Sequence, residues 1–126
     1  MTTILDASAL LAVLFDEPGR ERVEAVGAHA IISAINMAEA YAKLSDRGTD
    51  DEEIRTTLES ISVKIIDFDD RQAMMTGGLR KMTRKFGLSL GDRACLALAI
   101  QKNAVVLTAD RAWIELDIGV KIELIR

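Results

Sequence analysis

Two rhythms of apolar residues alternate along this chain. Short runs rich in Ile, Val and Leu, at 3 to 5 (TIL), 30 to 33 (AIIS), 63 to 68 (VKIIDF), 104 to 108 (AVVLT) and 121 to 125 (KIELI), have the length and β-branched content of buried strands. Between them, apolar residues recur at helical spacing. The pattern predicts a helix at 7 to 15, a second short one opened by Pro18 and reaching about Val26, and a third at about 35 to 46 closed by Gly48. A fourth starts in TDDEEIRTTLESI, whose acidic first turn suits a helix N-terminus. A long helical stretch then runs to about Lys85, weakened by Gly77 and Gly78. It is followed by the helix containing Asp92 and a short one at about 111 to 116. Strands separated by helices, with no tight hairpin signal, predict right-handed βαβ units. The expected fold is therefore α/β: one domain over residues 1–126, with a mostly parallel central sheet of about five strands and helices on both faces.

Within this pattern one position breaks the rule. In LSLGDRACLALAI, residues 88 to 100, Asp92 shares a helical face with Cys95, Leu96 and Ala99, the face expected to be buried. A buried carboxylate is costly unless it is paired or protonated. Ser89 followed by Asp92 forms a capping-box pattern, which is one explanation. The other comes from three more acids. Asp6 ends the first predicted strand, Asp110 lies two residues past the fourth, and Glu39 sits in the first turns of the helix after the second. In a parallel α/β sheet ligands bind beyond the carboxyl ends of the strands, so these remote acids can converge. Taken singly, Asp6 and Asp110 are helix caps and Glu39 is an ordinary helix glutamate or a partner of Asn36. Together they repel unless a cation lies between them. With no Cys/His set suited to zinc, the expected cation is Mg2+ or Mn2+, and its chemistry is attack by activated water on a phosphodiester.

Composition and charge narrow the function. At 126 residues and 49% hydrophobic content, the chain can bury a substantial core. The apolar start has no basic leader and is interrupted by Asp6, and nothing approaches a membrane span, so a cytoplasmic protein without membrane contact is expected. The single cysteine excludes an internal disulfide, and Cys95 is expected in the core rather than paired with His29, the only histidine, as a nucleophile. A net charge of −4 argues against indiscriminate nucleic-acid binding. The charge is uneven, however. Arg71, Arg80, Lys81, Arg84 and Lys85 lie in a stretch free of Asp and Glu. The pairs Arg80/Arg84 and Lys81/Lys85, each four residues apart, form a basic ridge on a helix. That ridge is either a solvated face or a substrate-binding surface.

The segments ILDASALLAVL, SAINMAEAYAKL, LSLGDRACLALA and VVLTADRAW, in this order, resemble the PIN-domain family, especially VapC-type toxins of bacterial toxin–antitoxin pairs. The resemblance extends from Thr3 to the closing GVKIELI. It implies that Asp6, Glu39, Asp92 and Asp110 form a magnesium-dependent endoribonuclease site supported by the Thr108 hydroxyl, and that the RNA product carries a 5′-phosphate. Ser8 and Asn36, polar residues beside matched acids, are expected to hold them in place. Arg93, next to Asp92, is expected either to hold the scissile phosphate or to form a surface salt bridge. The resemblance also implies a VapB-like antitoxin, contact with promoter DNA only through that antitoxin, and a homodimer. The apolar helices near the N-terminus and the stretch with Met74, Met75 and Met82 are the expected contact surfaces, with core packing as the alternative.

Two rival readings stand beside this one. A receiver-like phosphoacceptor domain would use Asp67 as acceptor and Thr108 as switch hydroxyl, but leaves Asp92 and Glu39 without roles. A non-catalytic PIN-like scaffold would bind a partner without cutting.

Overall fold

The alternation inside the strands sets the architecture. The elements follow in the order β1 (Thr3–Leu5), α1 (Ala7–Leu14), α2 (Arg20–Glu24), β2 (Ala30–Ser33), α3 (Ala34–Asp46), α4 (Asp51–Glu59), β3 (Lys64–Ile66), α5 (Asp70–Thr83), α6 (Leu90–Lys102), β4 (Val105–Thr108) and β5 (Ile122–Leu124). Tight 3-10 turns occupy Gly27–His29, Arg84–Phe86 and Arg111–Glu115. In the computed structural model, which describes residues 2–126, the strands form one sheet in the order β3-β2-β1-β4-β5. All four pairings are parallel.

Ile4 pairs with Ile31 on one side and Val106 on the other, and all three face one core with Leu96, Leu98 and Trp113. The next residue along each strand, Leu5, Ile32 and Leu107, points the opposite way into a second core with Leu10, Ala40 and Ile125. Period-two alternation thus gives the sheet an apolar layer on both faces, as a helix-covered parallel sheet requires. Each fully buried Ile or Leu contributes about 1.5–3 kcal/mol. α6 is enclosed along most of its length, with Ala94 to Ala99 all buried. Its small residues let it lie close against the sheet.

The predicted fold is observed, with local corrections. β3 covers only Lys64–Ile66 rather than 63 to 68, because it is an edge strand with Ile65 half exposed. The second helix starts at Arg20, not Pro18. Gly19 adopts φ 99°, and a Cβ there would run into the carbonyl of Ile125, so the chain makes a glycine turn before the helix begins. The long helix ends at Thr83, and Arg84–Phe86 form a separate turn. Met75 packs against the core, whereas Met74 and Met82 are exposed. Among the described residues no helix is long and apolar enough to cross a membrane.

The chain runs outward from β1 to β2 and β3, then crosses back so that β4 lies on β1's other side. The point where direction reverses, between the carboxyl ends of β1 and β4, is where an α/β sheet opens a crevice.

Candidate active site

Asp6 and Asp110 follow the two strands flanking that crevice. Asp6 leaves β1 as the N-cap of α1, its Oδ1 accepting the amide of Ala9 at 2.9 Å and the hydroxyl of Ser8 at 2.7 Å. Its other oxygen, Oδ2, accepts the hydroxyl of Thr108 at 2.7 Å. Thr108 in turn accepts the amide of Asp110 at 3.0 Å, and Ser8 Oγ accepts the amide of Ala109 at 2.9 Å. Two hydroxyls therefore bolt the ends of β1 and β4 together around one carboxylate. Asp110 itself is exposed and caps the 3-10 turn through the amide of Ala112.

A second group approaches from α3 and α6. The side-chain amide of Asn36 donates to Glu39 Oε1 at 2.8 Å and to the backbone carbonyl of Gly91 at 2.9 Å. Glu39 lies over Gly91 so closely that a Cβ there would overlap its carboxylate. The glycine makes room for an acid from a different helix. The next residue, Asp92, completes the predicted capping box: Ser89 Oγ accepts its amide at 3.1 Å, and its Oδ2 accepts the amide of Ser89 at 3.0 Å.

Electrostatics joins the two groups. Burial pushes the Asp6 carboxyl above its ordinary range, the three hydrogen bonds to Ser8, Thr108 and Ala9 oppose this, and the charge of Asp92 raises it further. The Cys95 thiol is driven well up, first by complete burial and then by the negative charges of Asp6, Asp92 and Glu39. One buried sulfur thus feels three carboxylates from three elements. That pKa makes Cys95 a core residue without thiolate character, and His29 is exposed on its turn.

The donors present are carboxylate oxygens, the set that Mg2+ or Mn2+ prefers. Among the described residues no Lys, Arg or His forms an ion pair with Asp6, Glu39, Asp92 or Asp110; the ion pairs lie elsewhere, at Arg20, Arg22, Lys121 and Arg126. A dication would relieve both the repulsion and the burial cost at Asp6, so the donor chemistry suits such an ion. Among the described residues no three acidic, His or Cys side chains surround one point, since Asp92 and Glu39 are turned to Ser89 and Asn36.

Other expected residues form no hydrogen bond or ion pair with the acids among the described residues. Arg93 is buried and donates to the backbone carbonyl of Thr76 at 3.1 Å, its Nε without a partner, so its side chain occupies the seam between α5 and α6. Arg80 and Arg84 are exposed near the end of α5. Gly91 is a site residue that sequence reasoning missed; a glycine directly before a helix-start acid was the available signal. The receiver-like arrangement is not formed. Asp67 follows edge strand β3, and β2 and β1 intervene before β4, about 14 Å across at the usual strand spacing.

The PIN-domain family model matches residues 3–119, and the chain belongs to the PIN-domain family. Among solved structures, it is similar to DNA-bound VapBC from Salmonella typhimurium, at 22% identity and TM-score 0.78, covering 100% of this chain and 99% of that one. VapBC2 from Rickettsia felis, bound to a fragment of promoter DNA, gives 22% identity and TM-score 0.78, with 98% of each chain covered. VapC20 from Mycobacterium tuberculosis, described as a sarcin-ricin loop cleaving toxin, gives 14% identity and TM-score 0.75, covering 95% of this chain and 99% of that one. No curated protein sequence matches the chain.

Proposed function

We propose that this protein is a Mg2+- or Mn2+-dependent endoribonuclease acting in the cytoplasm as the toxin of a toxin–antitoxin pair. One observation carries the reading. Asp6, Glu39, Asp92 and Asp110 come from four separate segments, stand at the carboxyl edge of the sheet, and have no basic partner among the described residues. Burial and the charge of Asp92 raise the pKa of Asp6, and Asp6, Asp92 and Glu39 all act on the buried Cys95 thiol, a cost that a dication would relieve. The PIN fold and the VapBC and VapC20 likenesses support a toxin that cuts RNA and is held by a VapB-like antitoxin, which alone contacts promoter DNA.

In this mechanism the four acids would hold the ion, which when bound lowers the pKa of a water and neutralises charge on the phosphate under attack. The remaining work belongs to the chain. Ser8 and Thr108 fix both oxygens of Asp6, so the carboxylate is oriented before any ion arrives. Asn36 holds Glu39 over Gly91. The α6 N-terminus, beside Asp92, adds positive potential toward an approaching phosphate.

The test is to incubate the purified protein with structured and single-stranded RNA, with Mg2+, Mn2+ or EDTA. Cleavage that needs the metal, leaves 5′-phosphate ends and is lost in Asp6→Asn and Asp92→Asn supports the reading. Cleavage undiminished by chelation removes the metal mechanism. An intact RNA beside clear Mn2+ binding leaves the non-catalytic scaffold.

A further inference from the structure

We infer that the C-terminal end of α5 is a second phosphate-binding subsite, which grips the backbone of a single-stranded RNA a short way from the cut and feeds it toward Asp92. The inference rests on the nuclease reading above and adds where its substrate lies. Arg80, Thr83, Arg84, Gly87 and Leu88 line a surface cleft. Arg80, in the last turn of α5, and Arg84, which opens the following 3-10 turn, line it, both exposed and neither guanidinium engaged by a hydrogen bond or ion pair among the described residues. Lys81 and Lys85 extend the same charge, with Lys85 Nζ 5.3 Å from the centre of the Phe86 ring. No Asp or Glu occurs from residue 71 to 91, in a chain whose net charge is −4.

Position joins this cleft to the acids. Leu88, its last lining residue, directly precedes Ser89, whose amide is held by Asp92. The six residues between α5 and α6 include the tight turn Arg84–Phe86, so the end of one helix stays beside the start of the other. In sequence Leu90 stands between Leu88 of the cleft and Asp92, and it is 55% exposed, an apolar surface on which an unstacked base can rest. Two free guanidiniums for phosphates, an exposed apolar side chain and then a carboxylate form a track of the kind single strands follow. Cations in the last turn also complement the helix dipole. That effect needs no open cleft and no exposed Leu90, so it accounts for part of the charge but not the arrangement.

The test measures binding separately from cleavage. A fluorescein-labelled single-stranded RNA of about twelve nucleotides is titrated with the full-length protein in EDTA at several salt concentrations. Arg80→Gln with Arg84→Gln should weaken binding roughly tenfold at low salt and reduce the log–log salt slope by about 1.4, near 0.7 for each phosphate no longer neutralised. Lys43→Gln with Lys102→Gln removes the same charge from exposed positions elsewhere and should leave the slope unchanged. Leu90→Ser should weaken binding without altering the slope. Equal losses in the two charge pairs would reduce the effect to net charge and overturn the subsite. So would unchanged RNA binding in Arg80→Gln/Arg84→Gln, including the case where that variant instead loses a protein partner. If the predicted slope change occurs in a protein that cuts no RNA, the subsite stands and the nuclease reading falls.

Discussion

Thr108 donates its hydroxyl to Asp6 across the seam between β4 and β1, at 2.7 Å, over a sequence separation of 102. The bond has two functions: it orients the most buried carboxylate of the site, and the same oxygen accepts the Asp110 amide. Thr108→Val keeps the shape and removes both. It should destabilise the protein by about 1–3 kcal/mol, since Asp6 Oδ2 loses its donor and the Asp110 amide its acceptor. Urea unfolding measures the loss. RNA cleavage should drop on the order of tenfold or more, as expected for a residue that positions a ligand. Full stability with full activity would show that the hydroxyl holds nothing.

The pH dependence of stability should carry the mark of Asp6. Its folded-state pKa is raised, burial being the main cause, so the native state binds this proton more tightly than the unfolded chain does. The carboxyl's contribution is therefore fully present below the unfolded value of about 3.9 and is lost as pH rises through the higher folded value. In EDTA, the difference in unfolding free energy between Asp6→Asn and wild type should shift in the variant's favour as pH rises through that window. A difference that stays flat or moves the other way would mean that the hydrogen bonds outweigh burial.

Gly91→Ala separates packing from chemistry. A methyl group at this position overlaps the Glu39 carboxylate, which is the free end of a flexible side chain and can swing away. Helix propensity favours the alanine by about 1 kcal/mol. The variant should fold at least as stably as wild type and yet need more Mg2+ or Mn2+ for cleavage, with activity down on the order of tenfold. An unaltered metal requirement would detach Glu39 from the site.

What the sequence made legible was periodicity and the chemistry of single positions. The strand core at Ile4, Ile32 and Val106 follows from apolar runs, and the caps at Asp6, Asp92 and Asp110 from residue type. The link from Asp6 through Thr108 to Asp110 was not written locally. It depends on β4 lying beside β1, a consequence of chain crossing that no short window encodes. The same limit hid Arg93, whose guanidinium reaches the Thr76 carbonyl on another helix, and Gly91, whose missing side chain matters only because Glu39 arrives from α3.

Cys95 supplies a control on the chemistry. A fully buried thiol whose pKa is driven up by burial and three acids should not react with a thiol reagent in the native protein, and should react once on unfolding. Cys95→Ala should cost about 1 kcal/mol in stability and leave cleavage intact. Loss of cleavage in a folded Cys95→Ala protein would assign the sulfur a part in the reaction.

The toxin reading makes its sharpest prediction in cells. An endoribonuclease in the cytoplasm meets its substrate everywhere, so growth requires something that covers the acids. A partner can insert an Arg or Lys side chain among carboxylates that form no ion pair among the described residues, or lay an apolar helix over the edge of the sheet. Induction of this chain alone should arrest growth, and induction of Asp92→Asn, checked by circular dichroism to be folded, should not. Co-expression of a small neighbouring gene should restore growth, and its product should co-purify with the wild-type protein. Adding that product to the RNA assay should stop cleavage at about one equivalent, as expected for a tight complex at concentrations above its Kd. Normal growth under strong induction of soluble, RNA-cleaving protein would defeat the toxin assignment while leaving the nuclease in place.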